Sequence, residues 1–302
     1  MKKEVDQPRV SVVIPTYNRA DKLRRCLESL KDQSINDFEV IVCDDGSTDN
    51  TSEVVKEYMH VLDIGYDYAD NFGGPARPRN RGIKLARAPY IAFLDSDDWW
   101  LPQKLEESLK FLEAGADLVY HDLFFITKPK QSISGKKVHT RSLSSPIFND
   151  LLENGNAITN SSVVLKKSLL FVIDGISEDK RFIAMEDYDA WLRIAKVTEK
   201  FQKIPQALGC YWGGGGNISN PERTLIYLDA FKERYSKALA GLKINGNPYW
   251  IDYAAGKAHM SLQSYAIAVD CFSLIHGKHV PFLVYVKSRG LLLLNKLYGL
   301  KC

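Results

Sequence analysis

Between Tyr90 and Trp100 the chain reads Tyr-Ile-Ala-Phe-Leu-Asp-Ser-Asp-Asp-Trp-Trp, a hydrophobic run that ends in three carboxylates, Asp95, Asp97 and Asp98. Held together without compensation these groups repel one another strongly, so the cluster asks for a cation. Alternation along an extended chain puts Asp95 and Asp97 on one face and Asp98 on the other, unless the chain turns at once, and Pro102 favours such a turn. Asp and Ser are also good helix caps, and a helix can begin near Leu101, but three carboxylates exceed what one cap needs. Two further acidic pairs stand out: Asp44-Asp45 and Glu186-Asp187. The second could simply be acidic residues in the first turn of a helix, where the dipole favours them.

Elements that could position these groups follow from the apolar pattern. Val10–Pro15 and Phe38–Cys43 are continuous apolar runs that suit strands buried on both faces of a parallel sheet. Between them Leu23, Cys26, Leu27 and Leu30 recur at helical spacing. Asp63–Tyr68 and Tyr90–Asp95 read as further strands, and residues 76–86 as a helix. Strands alternating with helices imply crossover units and a mainly parallel, doubly wound α/β sheet. Ligands of such sheets gather beyond the carboxyl ends of the strands, where Tyr17, Asp44-Asp45 and Asp95–Asp98 all fall. Downstream, Asp117–Ile126, Ser162–Leu165 and Phe201–Trp212 read as extended, Thr127–Ser145 as a loop or exposed hairpin, and Gly213–Gly216 as a mobile loop. From Asn220 onward the pattern is helical, without an internal repeat.

The 302 residues are 45% hydrophobic, enough for a large core and an appendage. A net charge of +3 excludes a nucleic-acid binder by bulk electrostatics. Cys26, Cys43, Cys210, Cys271 and Cys302 are odd in number, widely spaced and without a C-x-x-C pair, which argues against a disulfide framework or thiolate metal site and fits a reducing cytoplasm. The N-terminus has no apolar segment of signal-peptide length, and no stretch reaches the ~20 apolar residues of a spanning helix. Residues 280–302 mix apolar side chains with Lys287, Arg289 and Lys296. They read either as a core helix or, the preferred reading, as a basic amphipathic surface on an anionic membrane.

Five blocks together resemble the family two inverting glycosyltransferases of GT-A fold: Ser11–Arg19, Val42–Asp49, Ala76–Gly82, Phe93–Asp98 and Glu186-Asp187. The resemblance covers about residues 8–215, and the order and spacing of the blocks make it specific. It implies a GT-A domain over 1–219, with a nucleotide-binding half at about 8–98 and an acceptor half at about 99–219, followed by a helical region over 220–302. It implies a donor pocket of Pro15, Thr16, Tyr17, Asn18, Arg19, Asp45, Arg79, Asp95 and Ser96, in which Pro15 and Tyr17 line the base site, Asp45 accepts from uracil and Arg79 lies near the diphosphate. Asp95 and Asp97 match the Asp-x-Asp signature. Asp97 would then be a direct ligand of Mn²⁺ or Mg²⁺, Asp95 the partner of ribose and Asp98 a further candidate ligand; carboxylates and phosphates are the oxygen donors such ions take.

By the same resemblance Asp187, with Glu186 beside it, is the base that removes a proton from the acceptor hydroxyl, and the anomeric configuration inverts. The implied reaction moves a hexose or N-acetylhexosamine from a UDP-sugar to a saccharide or lipid-linked saccharide, on the cytoplasmic face of the membrane. Trp99, Trp100 and Trp212 are acceptor-side candidates; of Trp99 and Trp100, one is expected on a sugar and one in the core. Two departures stand out. Many members carry a histidine after a Tyr-Arg pair, where this chain has Tyr211-Trp212 and four glycines, so no third metal contact is assigned and the glycines could form a lid. Pro78 leaves open whether Arg77 or Arg79 meets the diphosphate. His121, His276 and His279 read as structural. A polyprenyl phosphate acceptor and a non-catalytic nucleotide-sugar-binding protein are the alternatives, the first disfavoured by an intact Glu186-Asp187, the second by that pair and the Asp cluster.

Overall fold

The computed structural model describes residues 6–128, 131–133, 135–216, 218–242, 247–276 and 280–299. His279 and residues 300–302 of the tail therefore lie outside the described residues. The chain forms two compact units: Met1–Leu143, Ala157–Glu178 and Glu186–Gly216 make the first, and Ser144–Asn156, Asp179–Met185 and Asn217–Cys302 the second.

In the first unit β1 (Val10–Thr16), α1 (Ala20–Lys31), β2 (Phe38–Asp44), α2 (Thr51–Tyr58), β3 (Ile64–Tyr68), α3 (Ala76–Leu85) and β4 (Tyr90–Phe93) alternate as the apolar pattern requires. Then come β5 (Trp99–Trp100), α4 (Lys104–Glu113), β6 (Leu118–Ile126) and β7 (Lys137–Val138). In the second unit lies α5 (Ile147–Asn154); the first resumes with β8 (Val164–Lys166), α6 (Lys167–Val172), α7 (Glu186–Ala195) and β9 (Phe201–Trp212). The strands form one sheet in the order β3-β2-β1-β4-β8-β6-β9-β5, with β7 paired to β6.

The β3-β2-β1-β4 half is parallel, as its continuous apolar strands demand. Every residue of β1 and β2 is buried. Leu23, Cys26, Leu27 and Leu30 lay α1 on that sheet, in one core with Val10, Val12, Ile14, Val40 and Val42. Beyond β4 the sheet is mixed: β8 is antiparallel to β4 and β6, β5 to β9, while β9 runs parallel to β6 with register shifts around Asp122. The stretch read as a loop or hairpin after β6 contributes β7, antiparallel to Leu123-Phe124. His121 sits inside β6; burial beside Lys104 pushes its imidazole down to about 3, so it is neutral at working pH.

Close approach of α3 to the sheet explains Gly82. A Cβ there would lie 2.5 Å from Val13 Cγ1 and 2.8 Å from Cys43 Sγ, so a larger residue would push α3 off β1 and β2. That packing sets the height at which Arg79, one turn earlier on α3, enters the protein.

The second unit is helical: α5, then α8 (Pro221–Arg234), α9 (Ser236–Ala240), α10 (Tyr249–Ser261), α11 (Tyr265–Ser273) and α12 (Phe282–Gly299). Asn220 caps α8 by accepting from the Arg223 N–H, and Pro221 follows at the first helical position. Aromatic packing holds the unit together. Phe231 stands 4.8 Å from Tyr235, 5.0 Å from Trp250 and 5.6 Å from Tyr227, ring centre to ring centre, and Phe182 meets Tyr227 edge-on. Among the described residues no helix is long and apolar enough to cross a membrane.

Candidate active site

At the end of β4 the chain turns at once, the Asp98 N–H donating to the Asp95 carbonyl at 2.9 Å. The turn sends the three carboxylates to three different places. Asp95 meets the Arg79 guanidinium at 2.6 Å and the Asn160 amide at 3.1 Å. Asp97 faces Arg19 at 2.7 Å, with the Lys22 ammonium 3.8 Å away. Asp98 is turned inward, only 1% exposed, and accepts from the Trp212 N–H at 2.8 Å, tying the turn to the end of β9. Ser96 is buried between Asp95 and Asp97.

The environments push the protons accordingly. Burial raises the Asp97 carboxyl against the pull of Arg19, and burial with Asp97 and Asp95 nearby raises Asp98 well above the ordinary range. Among the described residues no three carboxylates, imidazoles or thiols converge on one point. Asp98 is enclosed, with its Oδ1 tied to β9 through the Trp212 N–H. Asp97 and the part-exposed Asp95 do fit Mn²⁺ or Mg²⁺: both are oxygen donors, and these ions take one or two carboxylates and leave their other positions to phosphate and water. The cations already drawn to Asp97 show that the turn demands positive charge.

Arg79 joins this turn to the second acidic pair. Fully buried on α3, it sends one nitrogen to Asp95 and the other to Glu186 at 2.5 Å. Burial pulls the guanidinium toward neutrality, but Asp95, Glu186 and Asp187 more than offset this and hold it charged. So Arg79, not Arg77, is the arginine of the carboxylate cluster; Arg77 is half-exposed, pairs with Glu178 at 2.9 Å and lies over the Phe72 ring. Glu186 is thereby an anchor that holds the first turn of α7 against α3. Asp187 beside it is part-covered, accepts from the Tyr188 N–H at 2.7 Å and has no cation of its own at contact distance among the described residues. Burial, then the Glu186 charge, outweigh Arg79 and push the Asp187 carboxyl up to about 7. A carboxylate with that affinity for a proton can act as a general base near neutral pH.

The loops after β1 and β2 interlock. Asn18, at φ 49°, donates its N–H to Ser47 Oγ and accepts the Thr48 N–H on its side chain, both at 2.8 Å. Thr16 and Pro15 are buried at the end of β1, and Tyr17 stands 47% exposed. Asp45, expected to be open to a base, is 4% exposed and accepts the Phe72 and Gly73 N–H groups, at 3.1 and 3.2 Å. It shapes the 71–74 loop, and any ligand donor would share an oxygen already in use.

Of the tryptophans, Trp100 is 2% exposed in the core and donates its indole N–H to the Ser161 carbonyl, so it offers no face to a sugar. Arg25 lies over Trp99 at 3.9 Å and over Trp212 at 4.6 Å and donates to the Asp97 carbonyl, bracing the turn from outside. The glycine run is tied down rather than loose: Lys22 reaches the Gly215 carbonyl, Arg19 the Gly216 carbonyl, and the Trp212 indole the Gly215 carbonyl. Lys22, Arg25, Asn160 and Ser161 are site residues that pattern reasoning did not single out. Lys22 and Arg25 sit on the polar side of an amphipathic helix, where cations are ordinary.

The sequence and the fold are similar to those of known proteins. The Glycosyl transferase family 2 profile matches residues 11–169. An uncharacterized glycosyltransferase of Methanocaldococcus jannaschii, MJ1057, is 31% identical over 213 residues, 68% of this chain and 71% of that one. The amylovoran biosynthesis glycosyltransferase AmsB of Erwinia amylovora is 29% identical over 75% of this chain and 79% of its own. The Escherichia coli UDP-Glc:alpha-D-GlcNAc-diphosphoundecaprenol beta-1,3-glucosyltransferase WfaP is 32% identical over 61% and 69%. In fold the chain resembles S. aureus TarS residues 1–349 in complex with UDP-GlcNAc, with a TM-score of 0.63, 18% identity and coverage of 95% and 89%. It also resembles the mannosyltransferase PcManGT of Pyrobaculum calidifontis in complex with GDP-Man and Mn²⁺, with a TM-score of 0.59, 19% identity and coverage of 99% and 86%. An α/β GT-A domain with a helical C-terminal region is the fold this chain shares with these structures, and the chain belongs to glycosyl transferase family 2, a glycosyltransferase.

Proposed function

We propose that the enzyme transfers a hexose or N-acetylhexosamine from a UDP-sugar to a saccharide or lipid-linked saccharide, with inversion, using a divalent metal and Asp187 as general base. The observation that carries this reading is the Arg79 bridge, which holds the first turn of α7, and with it Asp187, beside the carboxylate turn. Support comes also from the UDP-GlcNAc bound to TarS, the UDP-glucose and lipid-linked acceptor in the name of WfaP, and the Mn²⁺ in the mannosyltransferase complex.

In this reading Tyr17 and the interlocked Asn18–Ser47 loops receive the nucleoside, and Asp95, fixed by Arg79 and Asn160, accepts from ribose. Asp97, with Asp95 beside it, would hold Mn²⁺ or Mg²⁺, which when bound neutralises charge on the departing diphosphate. Arg19 and Lys22, now on Asp97, are long enough to turn to phosphate oxygens and carry the glycine run with them as a lid. Asp187 takes the proton of the acceptor hydroxyl as it attacks, and since attack comes opposite the leaving group no enzyme nucleophile is needed. The test is nucleoside-diphosphate release across UDP-, GDP- and dTDP-sugars with Mn²⁺, Mg²⁺ or EDTA. One UDP-sugar should turn over and EDTA should abolish it; full activity in EDTA would remove the metal from the scheme, and turnover of GDP-sugars alone would replace the donor.

The reaction is placed at the inner face of the cytoplasmic membrane, held there by α12. That helix is inside out for a soluble protein: Ser288 and Asn295 are buried, while Phe282 is 77%, Leu283 70% and Leu293 64% exposed. Lys287 edges the apolar face, and Cys271–Cys302 holds five Lys and Arg and no acidic residue, the composition of a surface that lies on anionic lipid. Phe282→Glu with Leu293→Glu should weaken binding to phosphatidylglycerol vesicles about tenfold or more, given the ~1.5–3 kcal/mol that a large apolar side chain gains on full burial. Unchanged co-sedimentation would leave α12 with another role.

A further inference from the structure

The second unit holds a cavity of about 170 Å³ between the segment 183–185, the start of α8 and the middle of α10. Its walls are apolar, from Ile183, Met185, Leu228 and Ala254 with the rings of Tyr227 and Trp250. One edge differs. Ser219, Arg223 and Thr224 stand there, at the first turn of α8. Arg223 donates from its side chain to the Ile218 carbonyl at 3.0 Å and meets no carboxylate among the described residues.

We infer that this cavity seats the first hydrocarbon units of a lipid carrier, with Arg223 at its edge meeting the carrier's phosphate, an assignment that rests on the transferase reading above. The chemistry selects the occupant. Apolar walls cannot satisfy the hydroxyls of a sugar, and burying those groups unpaired is costly, whereas hydrocarbon gains from the same walls. A cation beside the Ser219 hydroxyl at the edge suits an anion directly attached to that hydrocarbon; the Thr224 hydroxyl is donated to the Asn220 carbonyl. Met185 closes one wall. Ala184, in the same wall, is held at φ 76°, a left-handed conformation that an alanine adopts only when its surroundings impose it.

The test is calorimetric titration of geranyl diphosphate into the full chain saturated with UDP and Mn²⁺. Wild-type protein should bind it at least about tenfold more tightly than inorganic diphosphate, with UDP still bound, and both Ala254→Phe, which fills the cavity, and Arg223→Glu, which reverses its edge, should weaken binding about tenfold or more. Equal affinity in wild type and both variants would overturn the assignment, as would displacement of UDP by the lipid, which would put the lipid in the donor site. Should Ala254→Phe fail to fold, judged by circular dichroism, Arg223→Glu decides, since among the described residues that side chain bonds one carbonyl outside its own helix. A protein that bound no UDP yet still discriminated the lipid diphosphate in these variants would fail the donor reading and uphold this one.

Discussion

Asp187→Asn should lower kcat by about 10²–10⁴-fold while UDP affinity is retained, because the amide keeps the shape and the contact to the Tyr188 N–H region but cannot accept the acceptor's proton. The split between kcat and donor affinity is what identifies a base. A residue that merely shaped the pocket would change both, since α7 and the carboxylate turn are joined through Arg79. Single-turnover transfer and UDP titration on the same preparation measure the two quantities, and a kcat within threefold of wild type would remove Asp187 from the role.

Arg79→Met should be the most damaging single change to the site. It leaves Glu186, 5% exposed at its side chain, without a charge partner and frees Asp95, 31% exposed, from its cation. Breaking a buried pair by removing one member costs roughly 3–5 kcal/mol, against a total stability of about 5–15 kcal/mol for an ordinary domain. Chemical denaturation should show that loss as a lower midpoint at unchanged slope, and transfer should be lost even where the protein still folds. A double variant, Arg79→Met with Glu186→Gln, should regain much of the stability and none of the activity, because the stranded charge is gone while α7 is still unanchored. Equal stability of Arg79→Met and wild type would mean that the bridge contributes nothing to holding α7.

The alternation of strands and helices through β4 was legible because each strand is continuously apolar and each helix carries one apolar stripe. Past Asp95 the pattern says less. Alternation puts Asp97 beside Asp95, but the turn closed by the Asp98 N–H overrides it, so Asp98 points to β9 and Asp97 to α1. The pairing of β9 with β6 brings together residues about 80 positions apart and has no local signature. The motifs located both acidic clusters and the resemblance named Asp187 as the base, but the place of Glu186 as the partner of Arg79 has no local signature. Arg25 and Lys22 look like solvent-facing cations on α1 until Trp99, Trp212 and the glycine run are folded against them. Asp45 shows the opposite case, a motif residue whose carboxylate is largely engaged by backbone.

The most direct measurement of the central claim, that Asp187 is a base poised near neutrality, is the pH dependence of kcat for nucleoside-diphosphate release from the UDP-sugar that turns over, in wild type and in Asp187→Asn. A base must be ionised to work, so its raised pKa of about 7 predicts a wild-type rate that falls about tenfold per unit below pH 7 and levels off above it, with that limb absent from the variant. A wild-type profile flat down to about pH 5, where an ordinary carboxylate is still ionised, or the same limb in both proteins, would contradict it.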